Sequence, residues 1–273
     1  MNNGEIEAKI LDVTKGVVKD VYTDAVKPAA KNVGGFFGVL SGFFSNVVLY
    51  PLRKLNTEYE QKAIAFERQM QEKYNNIPEE NRVEPQLHIV GPAMESLKYN
   101  IMDEDLAEMF SNLLVSDLDS RTQKFCSPAF IRIMEQLSPI DAKVYKEIMC
   151  DLKNRHIGVA PITFAKKGTC KHYEANMPKY FLTAEIGAAN NYDLVLALEN
   201  LQRLGLIEIS FIEWWNDDRI YETIKQKEEV IKFETSLKNS GIEDYDLEIR
   251  EKGMLKTSGF SNNFARVCLR DSV

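Results

Sequence analysis

Apolar residues recur every three and four positions along the first half of the chain, the spacing of one buried helix face. Ile6, Ile10, Val13, Val17 and Val21 form the first such stripe. Glu58 to Tyr74 reads as a charged helix solvated on one side, and the two-proline connector IPEENRVEP closes that region. Helices are predicted over Ile89–Asn100, with Pro92 near its start, and over Asp103–Leu118, with Leu106, Met109, Phe110, Leu113 and Leu114 on one stripe. Ser127–Pro128 and Ser138–Pro139 each place a capping hydroxyl before a proline at the first helical position.

Beyond residue 138 the period changes. Ile157–Phe164 reads as a short strand, Tyr192–Leu204 as an amphipathic helix closed by Gly205, and LIEISFIEW (206–214) alternates like a strand. A charged helical stretch follows over 217–238. DYDLEIREKGMLK then pairs back as a strand, and Ser258–Gly259 opens a last helix carrying Phe260, Phe264 and Val267. The expected fold is mainly α: an N-terminal multi-helix region followed by a C-terminal winged-helix-like α+β module. The expected divisions are 1–86, 87–137 and 138–273, with a helical wing inserted at about 217–240.

One segment breaks the amphipathic rule. Asn32 to Leu52 carries no charge and contains Gly34, Gly35, Gly38 and Gly42. On a helical wheel the glycines, Ser41, Ser45 and Asn46 share one side, while Phe36, Leu40, Phe44, Val47 and Val48 share the other. About twenty helical residues would span a bilayer, and small residues four apart allow close helix packing. Four glycines nonetheless cost roughly 1 kcal/mol each in a helix, and the internal polar residues are poorly solvated in hydrocarbon. The segment therefore reads first as a buried helix over 32–50, with a constitutive membrane span and membrane insertion on a trigger as the alternatives. Gly34, Gly38, Gly42, Phe36, Leu40 and Phe44 are its helix-packing or membrane-facing residues.

Composition narrows the function classes. The 273 residues carry a net charge of −7, which argues against generic affinity for nucleic acid or anionic lipid. MNNGEIEAKI lacks the basic and apolar regions of a secretory signal. Four scattered cysteines fit a reducing cytoplasm. No phosphate loop, nucleophile elbow or HExxH pattern occurs. Asp103, Glu104, Asp105 and Glu108 read as a dipole-complementing helix start rather than a metal cluster. Cys150, His156, Cys170 and His172 lack the close pairing of zinc ligands. No catalytic, cofactor or metal site is expected, and the chain reads as a non-enzyme.

In the helix Tyr192–Leu204, Arg203 stands against Asp193 and Glu199, a poor phosphate reader. The module reads instead as a protein-interaction or oligomerisation unit. Arg203, Trp214 and Tyr221 are its partner-binding candidates, with core packing the alternative for the two aromatics.

An ordered set of segments resembles the abortive-infection alpha family of bacterial proteins. It comprises VYTDAVKPAAKNVG (21–34), YPLRKLN (50–56), NIPEENRVEP (76–85), VGPAMESLKYN followed by LAEMFSNLLVSDLD, SPAFIRIMEQLSPIDAK (127–143), LENLQRLGLIEI and TSGFSNNFARVC. The resemblance implies a bacterial phage-defence role and supplies no catalytic residues. The expected partner is a phage or host protein, or a second copy. The expected location is the cytoplasm, with inner-membrane contact on activation. A soluble sensor or adaptor, or a winged-helix DNA-binding regulator, are the other readings.

Overall fold

The computed structural model describes residues 57–152, 157–167, 172–173, 178–187, 190–239 and 244–270. The glycine-patterned segment, with Gly34, Phe36, Gly38, Leu40, Gly42 and Phe44, lies outside the described residues, as does the stripe Ile6–Val21. The described chain divides into two compact units, one of 57–136 with Arg266–Arg270 and one of 137–265.

The first unit is helical: α1 (Thr57–Asn75), α2 (Leu87–Asn100), α3 (Glu104–Asp117) and α4 (Pro128–Met134). Ala63, Phe66, Met70 and Tyr74 bury one face of α1, as their spacing requires. Asp103 is the N-cap of α3, accepting the Leu106 N–H at 2.8 Å, so the acidic group there starts a helix. Ser127 caps α4 through the Ala129 N–H.

The C-terminal half of α3 is buried on every side and carries polar groups inward. They hold the chain's last described residues. Asn112 Nδ2 donates to the Cys268 carbonyl at 2.9 Å and Ser116 Oγ to that of Val267 at 3.2 Å, satisfying carbonyls that a helix end leaves open. Arg270 donates to Asp119 at 2.7 Å, and Arg121 reaches the same carboxylate. Burial alone would push the Asp119 carboxyl up, but the hydrogen bonds from Arg121 and Arg270 outweigh it and hold it below the usual range. Asp117, two residues earlier, is fully buried, and among the described residues no cation bonds it. Its Oδ2 accepts the Gln86 N–H at 2.7 Å, and its Oδ1 has no hydrogen-bond partner among the described residues. Burial pushes this carboxyl up to about 7.

The second unit opens with α5 (Pro139–Leu152). Ser138 and Asp141 bond each other's backbone N–H reciprocally, a capping box with Asp in the acidic place. Then come β1 (Gly158–Ala160), β2 (Thr163–Lys166), β3 (His172–Tyr173), β4 (Phe181–Leu182), α6 (Asn191–Arg203), β5 (Glu208–Ser210), α7 (Asp218–Glu222), α8 (Glu228–Asn239), β6 (Tyr245–Glu248), β7 (Gly253–Lys256) and α9 (Gly259–Cys268). The strands form two antiparallel sheets, ordered β4-β1-β7-β5 and β3-β2-β6. In the first, Val159 faces Leu182 and Gly253, and Ile209 faces Leu255.

Helix order and type follow the sequence reading, and α7 and α8 form a helical insertion between β5 and the strands that return. Three strand expectations change, one of them because DYDLEIREKGMLK is not a single returning strand but β6 and β7, which lie in different sheets. The single strand over 157–164 is two strands in different sheets, split at Pro161, which lacks the N–H a continuous ladder needs. The strand over 206–214 is cut to Glu208–Ser210. The insertion packs on a core of Ala160, Ile162, Phe164, Phe181, Tyr221, Ile224 and Val230, with the Phe164 and Phe233 rings 5.1 Å apart.

Candidate interaction surface

In the second unit the sequence-derived candidates fall on three pieces, Arg203 at the end of α6, Trp214 beyond β5 and Tyr221 in α7, and local caps fix α6 and its passage into β5. Asn190 caps α6 by accepting the Asp193 N–H at 2.9 Å. Leu194, Val195, Ala197, Leu198 and Leu201 bury one face, and Asn200 Nδ2 donates to Asp141 at 2.8 Å, tying α6 to α5. The helix ends at Gly205, whose φ of +72° is left-handed. The Leu206 N–H returns to the Leu201 carbonyl at 2.9 Å and the Gly205 N–H to that of Gln202 at 3.0 Å, a Schellman closure that sends the chain directly into β5.

The opposite face of α6 carries Tyr192, Leu196, Glu199 and Arg203 at helical spacing. Leu196 is 65% exposed and Tyr192 52%, where an amphipathic helix would place polar side chains. This stripe runs into a groove of about 560 Å³ lined by Lys179, Tyr180, Glu199, Gln202, Arg203, Ile209 and Phe211. Lys179 pairs with Glu199 at 2.9 Å across it. Arg203 donates to Asn200 Oδ1 on its own helix. Burial pushes the Tyr180 hydroxyl up to about 12, and Glu199 adds to the effect, so the phenol is neutral.

Directly beyond β5 come Phe211, Ile212 and Trp214. Ile212 is 88% exposed and Trp214 52%. Gly253 explains how Phe211 is seated: a Cβ there would lie 2.5 Å from the Ser210 carbonyl oxygen and 2.8 Å from the Phe211 ring. On the polar side of this segment, Lys256 pairs with Glu213 and Lys252 with Asp218.

The structure thus separates the sequence candidates. Trp214 and Arg203 lie on the surface. Tyr221 is fully buried; its hydroxyl donates to the Gly253 carbonyl at 2.8 Å and accepts the Trp215 N–H at 3.0 Å. It is a core residue, and Gly158 has no side chain because Tyr221 fills that space, its ring 2.8 Å from where a Cβ would stand. Leu196, Tyr192 and Ile212 carry exposed apolar surface that the sequence reading did not single out. A leucine on the polar side of α6 was the available signal.

Among the described residues no three His, Cys, Asp or Glu side chains gather as a metal site. Cys150 is described, while His156 and Cys170 lie outside the described residues and His172 contributes β3. Burial pushes the Cys126 thiol up to about 12 and that of Cys268 well above the ordinary value, so neither is a thiolate at neutral pH. No helix of the described residues is long and apolar enough to cross a membrane.

These features define a mainly helical protein whose second unit couples two small antiparallel sheets to a helix and a strand with exposed apolar residues. The chain belongs to the abortive infection alpha family, whose sequence model matches residues 58–268. No curated protein and no solved structure matches it.

Proposed function

We propose that this is an anti-phage protein of the abortive-infection type that acts by binding a protein rather than by chemistry of its own, through the second unit's exposed apolar surface. The observation that carries the reading is the exposure of Tyr192, Leu196, Phe211, Ile212 and Trp214 in one unit, since exposed apolar surface rimmed by polar residues is characteristic of protein interfaces. A phage or host protein is the expected occupant. Charge supports a protein over DNA: α6 exposes Arg203 beside Glu199, β5 carries Glu208 and the segment after it Glu213. The winged-helix-like order of helices and strands fits an interaction module equally well.

Site-specific photocrosslinking tests the reading. A photoreactive residue at Ile212 is expected to yield a discrete adduct in infected cells, and one at Tyr99, exposed in the first unit, is expected to yield none. No adduct from position 212, or the same adducts from both, would count against the surface.

A second reading rests on the sequence of residues 32–52. Its glycine face, aromatic face and flanking Lys27, Lys31, Arg53 and Lys54 suit a helix that enters the inner membrane on infection. In that case Gly38→Leu abolishes protection and a potential-sensitive dye reports depolarisation on infection. Full protection by Gly38→Leu with unchanged potential would remove this reading.

A further inference from the structure

The sequence pattern of a strand continues past the point where the strand stops. LIEISFIEW is rich in strand-forming residues, yet the ladder with β7 covers only Glu208–Ser210. Phe211, Ile212 and Trp214 favour extended structure, and no strand pairs with them among the described residues. Among the described residues β5 is the last strand of its sheet. In an antiparallel pair, alternate residues of an edge strand aim their N–H and C=O away from the neighbour. Ile209 on that strand and Phe211 just past it also line the groove, with Lys179 and Tyr180 and with Glu199, Gln202 and Arg203 of α6. A sheet edge flanked by a helix offers backbone bonds for affinity and side-chain room for specificity, the two requirements of strand addition.

Charge selects the occupant. The segment 206–215 carries Glu208 and Glu213 and no cation. Lys256 pairs with Glu213 and stands opposite Glu208 in the ladder, one cation for two carboxylates, so two copies paired through this segment would bring together four carboxylates and two lysines, and like charges across a strand pair are destabilising. A partner strand bearing Lys or Arg relieves what a second copy would aggravate.

We propose that β5 and the residues that follow it, through Trp214, receive an extended peptide segment of a partner protein in which apolar and basic residues alternate, so that 208–214 becomes a full strand on binding. This rests on the protein-binding reading given above and specifies its mode.

Amide hydrogen exchange on the full chain tests it, with the synthetic peptide Lys-Val-Lys-Val-Lys-Val-Lys at millimolar concentration as probe and its Glu-Val counterpart as control. The expected result is at least tenfold slower exchange confined to 209–214 with the basic peptide and none with the acidic one. With the Leu255 N–H given to the Ile157 carbonyl, its partner Ile209 faces the open edge, and in a strand continued to 214 so does residue 213. Glu213→Pro, which removes that N–H at an exposed position, is expected to abolish the protection while leaving the circular dichroism of the chain unchanged, whereas Glu213→Gln, which keeps the N–H, is expected to retain part of it. The proposal is overturned by an absence of protection, by equal protection from both peptides, or by full protection in Glu213→Pro. Protection that rises with protein concentration alone would give the edge to a second copy and equally overturn it. If strand addition fails while Trp214→Ala still abolishes phage protection, the surface reading stands without this mode; if Trp214→Ala also protects fully, the surface reading itself falls.

Discussion

Two aspartates two positions apart, Asp117 and Asp119, meet opposite fates in one buried setting. Asp119 has Arg121 and Arg270 and stays charged. Asp117 has one backbone N–H, and burial pushes its carboxyl to about 7. A carboxyl whose folded pKa lies above its unfolded value binds more protons when folded, so its contribution to stability is full below about pH 4, falls as the pH rises, and is lost above about pH 7. Asp117→Asn keeps an oxygen for the Gln86 N–H without the charge. Urea denaturation is expected to show the variant more stable than wild type by about 1–3 kcal/mol at pH 8, with the difference vanishing or reversing near pH 4. Equal stability at both pH values would refute the account of Asp117. The same scale shows why Trp214 and Tyr221 divide: both are aromatics of one stretch, but only Tyr221 meets space cleared by a glycine, at Gly158, and a carbonyl acceptor at Gly253. Those partners lie more than thirty residues away in sequence, out of reach of local pattern.

Elements with a local signal are the legible ones. Asp103, Ser127, Ser138, Asn190 and Gly205 each begin or end a helix by bonds within a few residues, so residue type and spacing suffice to place them. Strand pairing is non-local, and there the reading falls short. Pro161 divides what looked like one strand, β2 pairs with β6 across some eighty positions, and the ladder at β5 stops after Ser210 despite a favourable sequence. The exposed edge is therefore visible only once the sheet is assembled. Gly253 is what lets β7 lie close under β5 and the Phe211 ring. Gly253→Ala forces a methyl against the Ser210 carbonyl, a backbone atom that cannot step aside, and is expected to destabilise the second unit by about 1–3 kcal/mol. A thermal melt that matches wild type would show that the strands yield without cost.

At the scale of the whole molecule, family membership supplies the setting, abortive infection, and the proposal places the work on the second unit's exposed apolar surface. The first unit spends its buried polar groups on itself: Asn112, Ser116 and Asp119 of the α3 region grip the carbonyls and the arginine at the chain's last described residues. The second unit leaves apolar groups facing outward on a helix and a strand edge, at a standing cost in solvation that a partner would recover. The most direct measurement of that claim is plaquing efficiency on cells expressing the chain with Leu196→Asp and Trp214→Ala together, at matched protein level and with unchanged circular dichroism. Both side chains are exposed, so folding is expected to persist while phage plaquing returns to that of cells lacking the protein. Undiminished protection by this folded double variant would contradict the account.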